Sequence, residues 1–329
     1  MASLLFALIT LLFSMSINST LCLQLHFYKD SCPQAEIIVK NAMEQEFKKD
    51  PTVAAALLRL NFHDCMVRGC DASILLDSRG ENIAEKEAPP NLSLRGFQAI
   101  DRIKAKVEAK CRGIVSCADV LALATRDGVS LSGGSSYPIP TGRRDGLISS
   151  MSDVHIPGPS KPLDFVLNAF QTIGLNLDDL TTLLGAHSVG FCHCGFFGDR
   201  LYNFKGSGRP DPDMDPHTVT MLKQKCPRTA VFNLSTDPTV FMTPTTNTPF
   251  KLDSSFYNGV LNGGAVLQLD QGLGFTQLTR FLATKYTQQP NLFRRKFARA
   301  MIKMGNAGVL EGKQGEVRLN CRRVNGKKH

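Results

Sequence analysis

Arg59 and His63 stand four residues apart within Leu58-Arg59-Leu60-Asn61-Phe62-His63-Asp64-Cys65. On a helix that spacing puts both side chains on one face, with Phe62 adjoining. An imidazole beside a permanent cation can accept and return a proton while the guanidinium stabilises developing negative charge. Heterolysis of a peroxide needs both services, although a surface ion-binding pair has the same spacing. Downstream, Asp64, Asp71 and Ser73 surround Val67-Arg68-Gly69 and interleave hard oxygen donors with turn backbone. That pattern suits calcium, outside the EF-hand type. Cys65 and Cys70 can close the same loop as a disulfide. A zinc site built from His63, Cys65 and Cys70 would need thiolates, which an oxidising compartment disfavours, so the disulfide ranks ahead.

A second histidine follows a different pattern. Asp178-Asp179-Leu180-Thr181-Thr182-Leu183-Leu184-Gly185-Ala186-His187 reads as a capped helix ending near an imidazole, with a small residue before it. A haem-ligating histidine needs its other ring nitrogen to donate to a carboxylate or carbonyl. Nothing local supplies that partner, and a structural histidine at a helix end is the alternative. Cys192-His193-Cys194 invites a copper or zinc reading. No Cys-x-x-Cys-His run exists, which excludes covalent c-type haem attachment.

The elements that must position these residues are helical, and the chain reads as mainly α. Apolar positions recur at three- and four-residue steps, as in Phe97, Ile100, Ile103 and Val107. The spacing predicts helices over 33–48, 52–65, 95–110, 117–131, 162–173, 178–186, 216–225, 254–261, 272–286 and 292–304. Val53, Leu57, Leu60 and Val67 lie near the apolar face of the second. Loops 133–146, 156–162, 205–216 and 242–250 carry the glycine and proline load, and Tyr137–Thr141 is too proline-rich for a central strand.

Composition bounds the rest. The chain has 329 residues, 43% hydrophobic and 20% charged, with a formal charge of +9. That suits one large domain or two intimate subdomains, long enough to enclose a cofactor. The apolar run Leu4 to Phe13 is too short for a bilayer and is followed by Ser16, Asn18 and Ser19, so residues 1–22 read as a secretory signal peptide. Residues 23–329 would then form the mature domain. No basic stripe with interleaved aromatics occurs, which argues against nucleic acid. A secreted cation of this charge fits an acidic polysaccharide surrounding, or simply a solvated basic surface. Beyond Cys22 in the leader, Cys32, Cys65, Cys70, Cys111, Cys117, Cys192, Cys194, Cys226 and Cys321 form an odd set that leaves one thiol free.

Taken together, these segments resemble the class III secretory plant peroxidases, the horseradish-type family. The resemblance runs from about Phe27 to Asn325. Its motifs include Phe27-Tyr28 with Ser31-Cys32-Pro33, Leu58 to Ser73, Arg95-Gly96-Phe97, Ser116-Cys117-Ala118-Asp119 and Gly142-Arg143-Arg144-Asp145. Further along come Gly185-Ala186-His187-Ser188-Val189-Gly190, Arg200 to Phe204, Leu269-Asp270-Gln271, and Gly315 to Arg318 with Asn320-Cys321. The resemblance implies two helical subdomains sandwiching haem b and a monomer that reduces hydrogen peroxide while oxidising phenolic donors one electron at a time. It makes His63 the distal acid/base, Arg59 its charge-stabilising partner and Phe62 the aromatic guard. Asn91 would orient His63, His187 would be the axial iron ligand, and Asp270 its hydrogen-bond partner. Pro157 matches the proline whose carbonyl contacts aromatic donors at the haem edge.

The implied disulfides are Cys32–Cys111, Cys65–Cys70, Cys117–Cys321 and Cys194–Cys226, leaving Cys192 unpaired. The implied distal calcium set is Asp64, Val67, Gly69, Asp71 and Ser73, with Glu85 behind it. The implied proximal set is Ser188, Thr248, Lys251 and Asp253. There the chain departs from the family: Thr245 stands where an aspartate is expected, with Thr243 the nearest alternative. A lost carboxylate weakens a hard-cation site, so proximal calcium is expected to be weak or absent. Asn61 and Met66 replace the usual His and Phe and should tune rather than abolish the chemistry. Asn91-Leu92-Ser93 is a glycosylation sequon in conflict with a buried Asn91; Asn233-Leu234-Ser235 is the expected glycan site. The chain contains no tryptophan, which places donor oxidation at the haem edge. Two rivals remain, a catalytically silent secreted wall- or carbohydrate-binding protein and a calcium-binding structural module. The tail Val324 to His329 lacks the longer apolar extension of some vacuolar relatives, which favours the cell wall over the vacuole.

Overall fold

The computed structural model describes residues 23–228, 233, 235–246 and 248–326. The expected leader over 1–22, Leu234 of the second sequon and the last three residues of the tail lie outside them. The helices run α1 (Ala35–Lys49), α2 (Val53–Cys65), α3 (Phe97–Glu108), α4 (Cys117–Leu131), α5 (Leu163–Thr172) and α6 (Leu177–Leu183). They continue as α7 (Gly198–Tyr202), α8 (Pro216–Lys225), α9 (Ser255–Leu261), α10 (Gln268–Gly272), α11 (Gln277–Gln288) and α12 (Pro290–Met304). One small antiparallel ribbon joins β1 (Phe191–His193) to β2 (Thr239–Phe241), with Cys192 opposite Val240. Among the described residues no helix is long and apolar enough to cross a membrane.

Packing sorts the helices into two groups. α1, α2 and α3 close on α4, while α9, α11 and α12 close on one another and on α6. α4 is the first group's centre because every residue from Cys117 to Val129 is buried. A carboxylate starts that helix: Asp145 accepts from the amides of Cys117 (3.1 Å) and Ala118 (2.8 Å), donors no helix can satisfy internally. Nearby, fully buried Arg143 donates to Asp119 at 2.8 Å, and the Tyr28 hydroxyl donates to the other Asp119 oxygen at 2.6 Å. Three of the quoted motifs thus serve the fold, and truncating either partner of the buried Arg143–Asp119 pair should cost about 3–5 kcal/mol.

Among the described residues four disulfides form. Cys32–Cys111 joins the segments before α1 and after α3, and Cys65–Cys70 closes the turn after α2. Cys117–Cys321 ties the start of α4 to the C-terminal segment, and Cys194–Cys226 links the end of the ribbon to the end of α8. They are the pairs that the resemblance implies, and Cys192 is free and buried. The helix expected over 272–286 is broken. α10 ends at Gly272, and the Thr276 hydroxyl accepts from the Thr279 amide to open α11 at Gln277. The helix expected over 178–186 starts at Leu177 under an Asn176/Asp179 capping box and tightens into a 3-10 turn over Leu184–Ser188. Val67, expected on the α2 face, sits beyond that helix in the following turn. The ribbon was not legible, since three-residue strands carry too little alternation.

Candidate functional site

α2 is amphipathic in an unusual sense: Leu57, Leu58 and Leu60 face the core while Arg59 reaches solvent and His63 is 5% exposed. The Phe62 ring stands edge-on to His63, with centroids 5.6 Å apart, and lies 5.7 Å from Phe170 on α5. His63 Nδ1 lies 2.6 Å from the Asn91 side-chain oxygen. Asn91 is itself oriented by its amide group, which donates to the Glu85 carbonyl at 2.7 Å. An amide oxygen only accepts, so His63 must carry its proton on Nδ1, leaving Nε2 as a free base. Burial, reinforced by the Arg59 charge, pushes the His63 pKa down to about 3, against the opposing pull of Asn91. The group is therefore neutral at any ordinary pH.

The loop bearing Asn91 also holds Arg59. The guanidinium donates to the Ser93 hydroxyl and to the Pro90 carbonyl, each at 2.9 Å. Sequence reasoning missed Ser93 and Pro90; the only signal was Ser93's place in the sequon. Asn91 is 2% exposed with its amide nitrogen donating to the Glu85 carbonyl, a setting unlike that of an exposed glycan acceptor.

His187 comes from the 3-10 turn after α6. Its Nδ1 lies 3.0 Å from both oxygens of Asp270, which is 1% exposed on α10. Nδ1–H donates to that carboxylate, so Nε2 is again the free nitrogen. The flanking Gly185 and Ser188 are buried, yet the His187 side chain keeps 34% of its surface open. An electron-rich imidazole with one open edge is what an axial iron ligand requires, so these residues fit haem. Gly190 brings the two histidine-bearing segments together: a Cβ there would lie 2.9 Å from the Ala55 Cβ of α2. The Pro157 loop, half-buried, is pinned beside Asp270 because the Leu269 amide donates to the Pro159 carbonyl at 2.9 Å. Cys192, near both Arg59 and Asp270, is no thiolate: burial pushes its pKa up to about 12.

A third cluster adjoins α2. Asp64, Asp71, Ser73 and Glu85 are all buried. Asp64 accepts from the amides of Ala72 (2.9 Å) and Ile74 (3.3 Å), and Asp71 from that of Ser73 (2.9 Å). The Ser73 hydroxyl and both Glu85 oxygens have no hydrogen-bond partner. Burial, with the charge of Asp71, raises Asp64 well above the usual carboxylate range, and burial takes Glu85 to about 7. Orphaned oxygens among like charges fit a hard divalent cation. Gly69 (φ +94°) permits the turn, since a Cβ there would meet the Gly308 carbonyl oxygen at 2.2 Å. Among the described residues no three His, Cys, Asp or Glu side chains converge on one metal position, so such a site would rest on two carboxylates plus hydroxyl and backbone oxygens. Cys65 and Cys70 are disulfide-bonded, which removes the zinc alternative.

The other expected cation site is differently built. Ser188 Oγ accepts from the Asp253 amide at 3.2 Å, and the Thr243 hydroxyl donates to the Ser188 carbonyl at 3.3 Å. Asp253 accepts from the Ser255 amide (2.8 Å), and the Thr248 carbonyl accepts from the Lys251 amide (3.0 Å). Protein donors thus engage oxygens that a cation would need.

Comparison with known proteins agrees with this geometry. A family model described as Peroxidase matches residues 39–289. The chain is 48% identical over 303 residues to "Peroxidase 57" of Arabidopsis thaliana, covering 92% of this chain and 93% of that one. It is 44% identical to "Peroxidase 28" of the same plant, over 92% of this chain and 93% of that one. It is likewise 44% identical to "Peroxidase 5" of Vitis vinifera, over 92% of each chain. Two histidines with their Nδ1 protons committed, an arginine beside the first and a carboxylate beneath the second therefore sit in a chain that belongs to the class III plant peroxidases.

Proposed function

We propose that this haem-dependent peroxidase activates hydrogen peroxide with His63 and Arg59 and delivers the oxidising equivalents to phenolic donors beside Pro157. One observation carries the assignment: both histidines are locked by hydrogen bonds at Nδ1, the first to a neutral amide and the second to a carboxylate. The neutral partner leaves His63 a weak base that can take a proton from peroxide and release it to the leaving oxygen. Arg59, pinned by Ser93 and Pro90, meets the charge that builds as the O–O bond breaks. Asp270 makes His187 a stronger donor toward iron. His187 would hold haem, which would supply the redox chemistry of the site. Phe62 stands over the same space and limits access to it.

Calcium at Asp64, Val67, Gly69, Asp71 and Ser73, with Glu85 behind, would brace the loop that follows His63 through the shared Asp64. The second cation site is weak, as the hydrogen-bonded Ser188 and the threonine at position 245 suggest. The enzyme acts as a monomer outside the cell, where its +9 charge favours acidic wall polysaccharide. The silent-scaffold reading has no support. The deciding experiment reconstitutes oxidised protein with hemin. A Soret band near 400 nm with peroxide-dependent guaiacol oxidation is expected; a colourless product sinks the assignment.

A further inference from the structure

α11 shows apolar side chains on its outer side as well as its inner one. Thr279, Ala283 and Tyr286 are buried beneath it, and the Thr279 hydroxyl donates to the Leu273 carbonyl at 2.6 Å. So anchored, the helix cannot turn to hide what faces water. Its outer side carries Leu278, 65% exposed, and Phe281, 57% exposed, one turn apart. Phe275, 61% exposed, continues the row from the turn before the Thr276 cap. Gly274 presses that turn against the protein, since a Cβ there would lie 3.0 Å from the Val260 carbonyl oxygen. The three most exposed large apolar side chains among the described residues therefore stand side by side on a rigid support.

Charge decides what could cover them. From Gln271 to Leu310 the chain carries seven Lys or Arg and no Asp or Glu. Lys296 and Lys303 pair with Asp178 and Asp179 at α6. Arg280 and Lys285, which flank the apolar row, meet no carboxylate among the described residues. Arg280 donates to the Gly274 carbonyl at 3.2 Å, and Lys285 Nζ stands 5.1 Å from the centroid of the Phe281 ring. A second copy of the chain is a poor cover, because a two-fold contact would set these cations against their own images with no acid to answer them. The exposed row offers roughly 300 Å² of apolar surface, well short of the ~800 Å² per partner that a stable protein interface buries. Acidic polysaccharide would answer the cations but leave Leu278 in water. Apolar side chains among unpaired cations match the boundary of an anionic bilayer, where the former enter the acyl region and Lys or Arg stays with the headgroups.

We propose that this face of α11 docks on an anionic lipid surface, with Phe275, Leu278 and Phe281 below the headgroups and Arg280 and Lys285 at their charge. The protein lies on the bilayer and does not span it. α11 packs with α6, α9 and α12, so docking turns the helix group that carries His187, and not α1 to α4, toward the lipid.

Flotation of the haem-loaded enzyme with vesicles tests this directly. One set is phosphatidylcholine alone; the other is equal parts phosphatidylcholine and phosphatidylglycerol. Partition onto the anionic vesicles should exceed that onto the neutral ones by about tenfold or more. Phe275→Ser/Leu278→Ser/Phe281→Ser should lower it about tenfold or more, and Arg280→Gln/Lys285→Gln about fivefold or more. Both variants should keep the parent's Soret band, because none of these residues belongs to the haem site. Should the triple variant lose that band, Phe281→Ser alone carries the comparison. A parent that stays at the bottom of the gradient, or that floats equally with both vesicles, overturns the proposal. So does a triple variant that floats like the parent, which would assign the cations to a polyanion. A concentration-dependent dimer in sedimentation that the triple variant abolishes gives the face to a second copy and overturns it too.

Discussion

Asn91→Ala isolates the part of the site that does no chemistry itself. In the folded chain the Asn91 oxygen accepts from His63 Nδ1 at 2.6 Å in a setting where both residues are nearly sealed from water. Alanine leaves that N–H without an acceptor, which costs about 1–3 kcal/mol for a buried donor. Imidazole escapes the cost by moving its proton to Nε2, the nitrogen that must stay bare to receive a proton from peroxide. At about 1.4 kcal/mol per factor of ten, the competent tautomer falls by roughly 5- to 150-fold. The second-order rate of the peroxide-induced Soret change, followed by stopped flow, should drop accordingly while the resting haem spectrum stays unchanged. His63→Ala sets the floor, at least ~10²-fold down, since it removes the base itself. Ser93→Ala controls for loosening of the loop, because Ser93 accepts from Arg59 and leaves His63 untouched. An Asn91→Ala rate within twofold of the parent refutes the tautomer argument.

Three further outcomes follow from the geometry. Asp270→Asn replaces a charged acceptor by a neutral one, so His187 should donate less to iron and the haem midpoint potential should rise; potentiometry finding no rise removes Asp270 from this role. Because His63 must be neutral to act and its pKa lies near 3, peroxide activation should be flat from about pH 7 to 4 and fall only below that; a midpoint near pH 6 would contradict the buried, Arg59-flanked setting. Metal analysis of the purified enzyme should find one tightly held calcium per chain, and chelation should lower thermal stability; two tightly held ions would overturn the reading of Ser188 and Thr243.

Much of the site was legible before any coordinates, but only where it is local. Arg59 and His63 announce themselves through helical spacing, and the oxygen donors Asp64, Asp71 and Ser73 through one short turn. His187 is readable as a helix-end histidine, yet its partner Asp270 lies 83 residues away and enters only through family resemblance. The same holds for Asn91, whose sequon suggests an exposed glycan site while the fold buries it. Ser93 and Pro90 escaped notice because a hydroxyl or carbonyl has no distinctive pattern until a guanidinium arrives opposite it. The break between α10 and α11 shows the same limit. Apolar periodicity runs straight through Gly272–Tyr286, and a single threonine cap decides where the helix begins.

By itself, then, the amino-acid order determined the helical class, the set of cysteines from which the disulfides are drawn, and the residue types able to handle peroxide. Short-range geometry follows from backbone periodicity, which any sequence displays. Only the tertiary structure decided which nitrogen of each imidazole is free, which carboxyls are buried without partners, and that Phe256 packs edge-on against His187. Those depend on contacts between segments tens of residues apart, where packing chooses the neighbour and burial sets the strength of every charge.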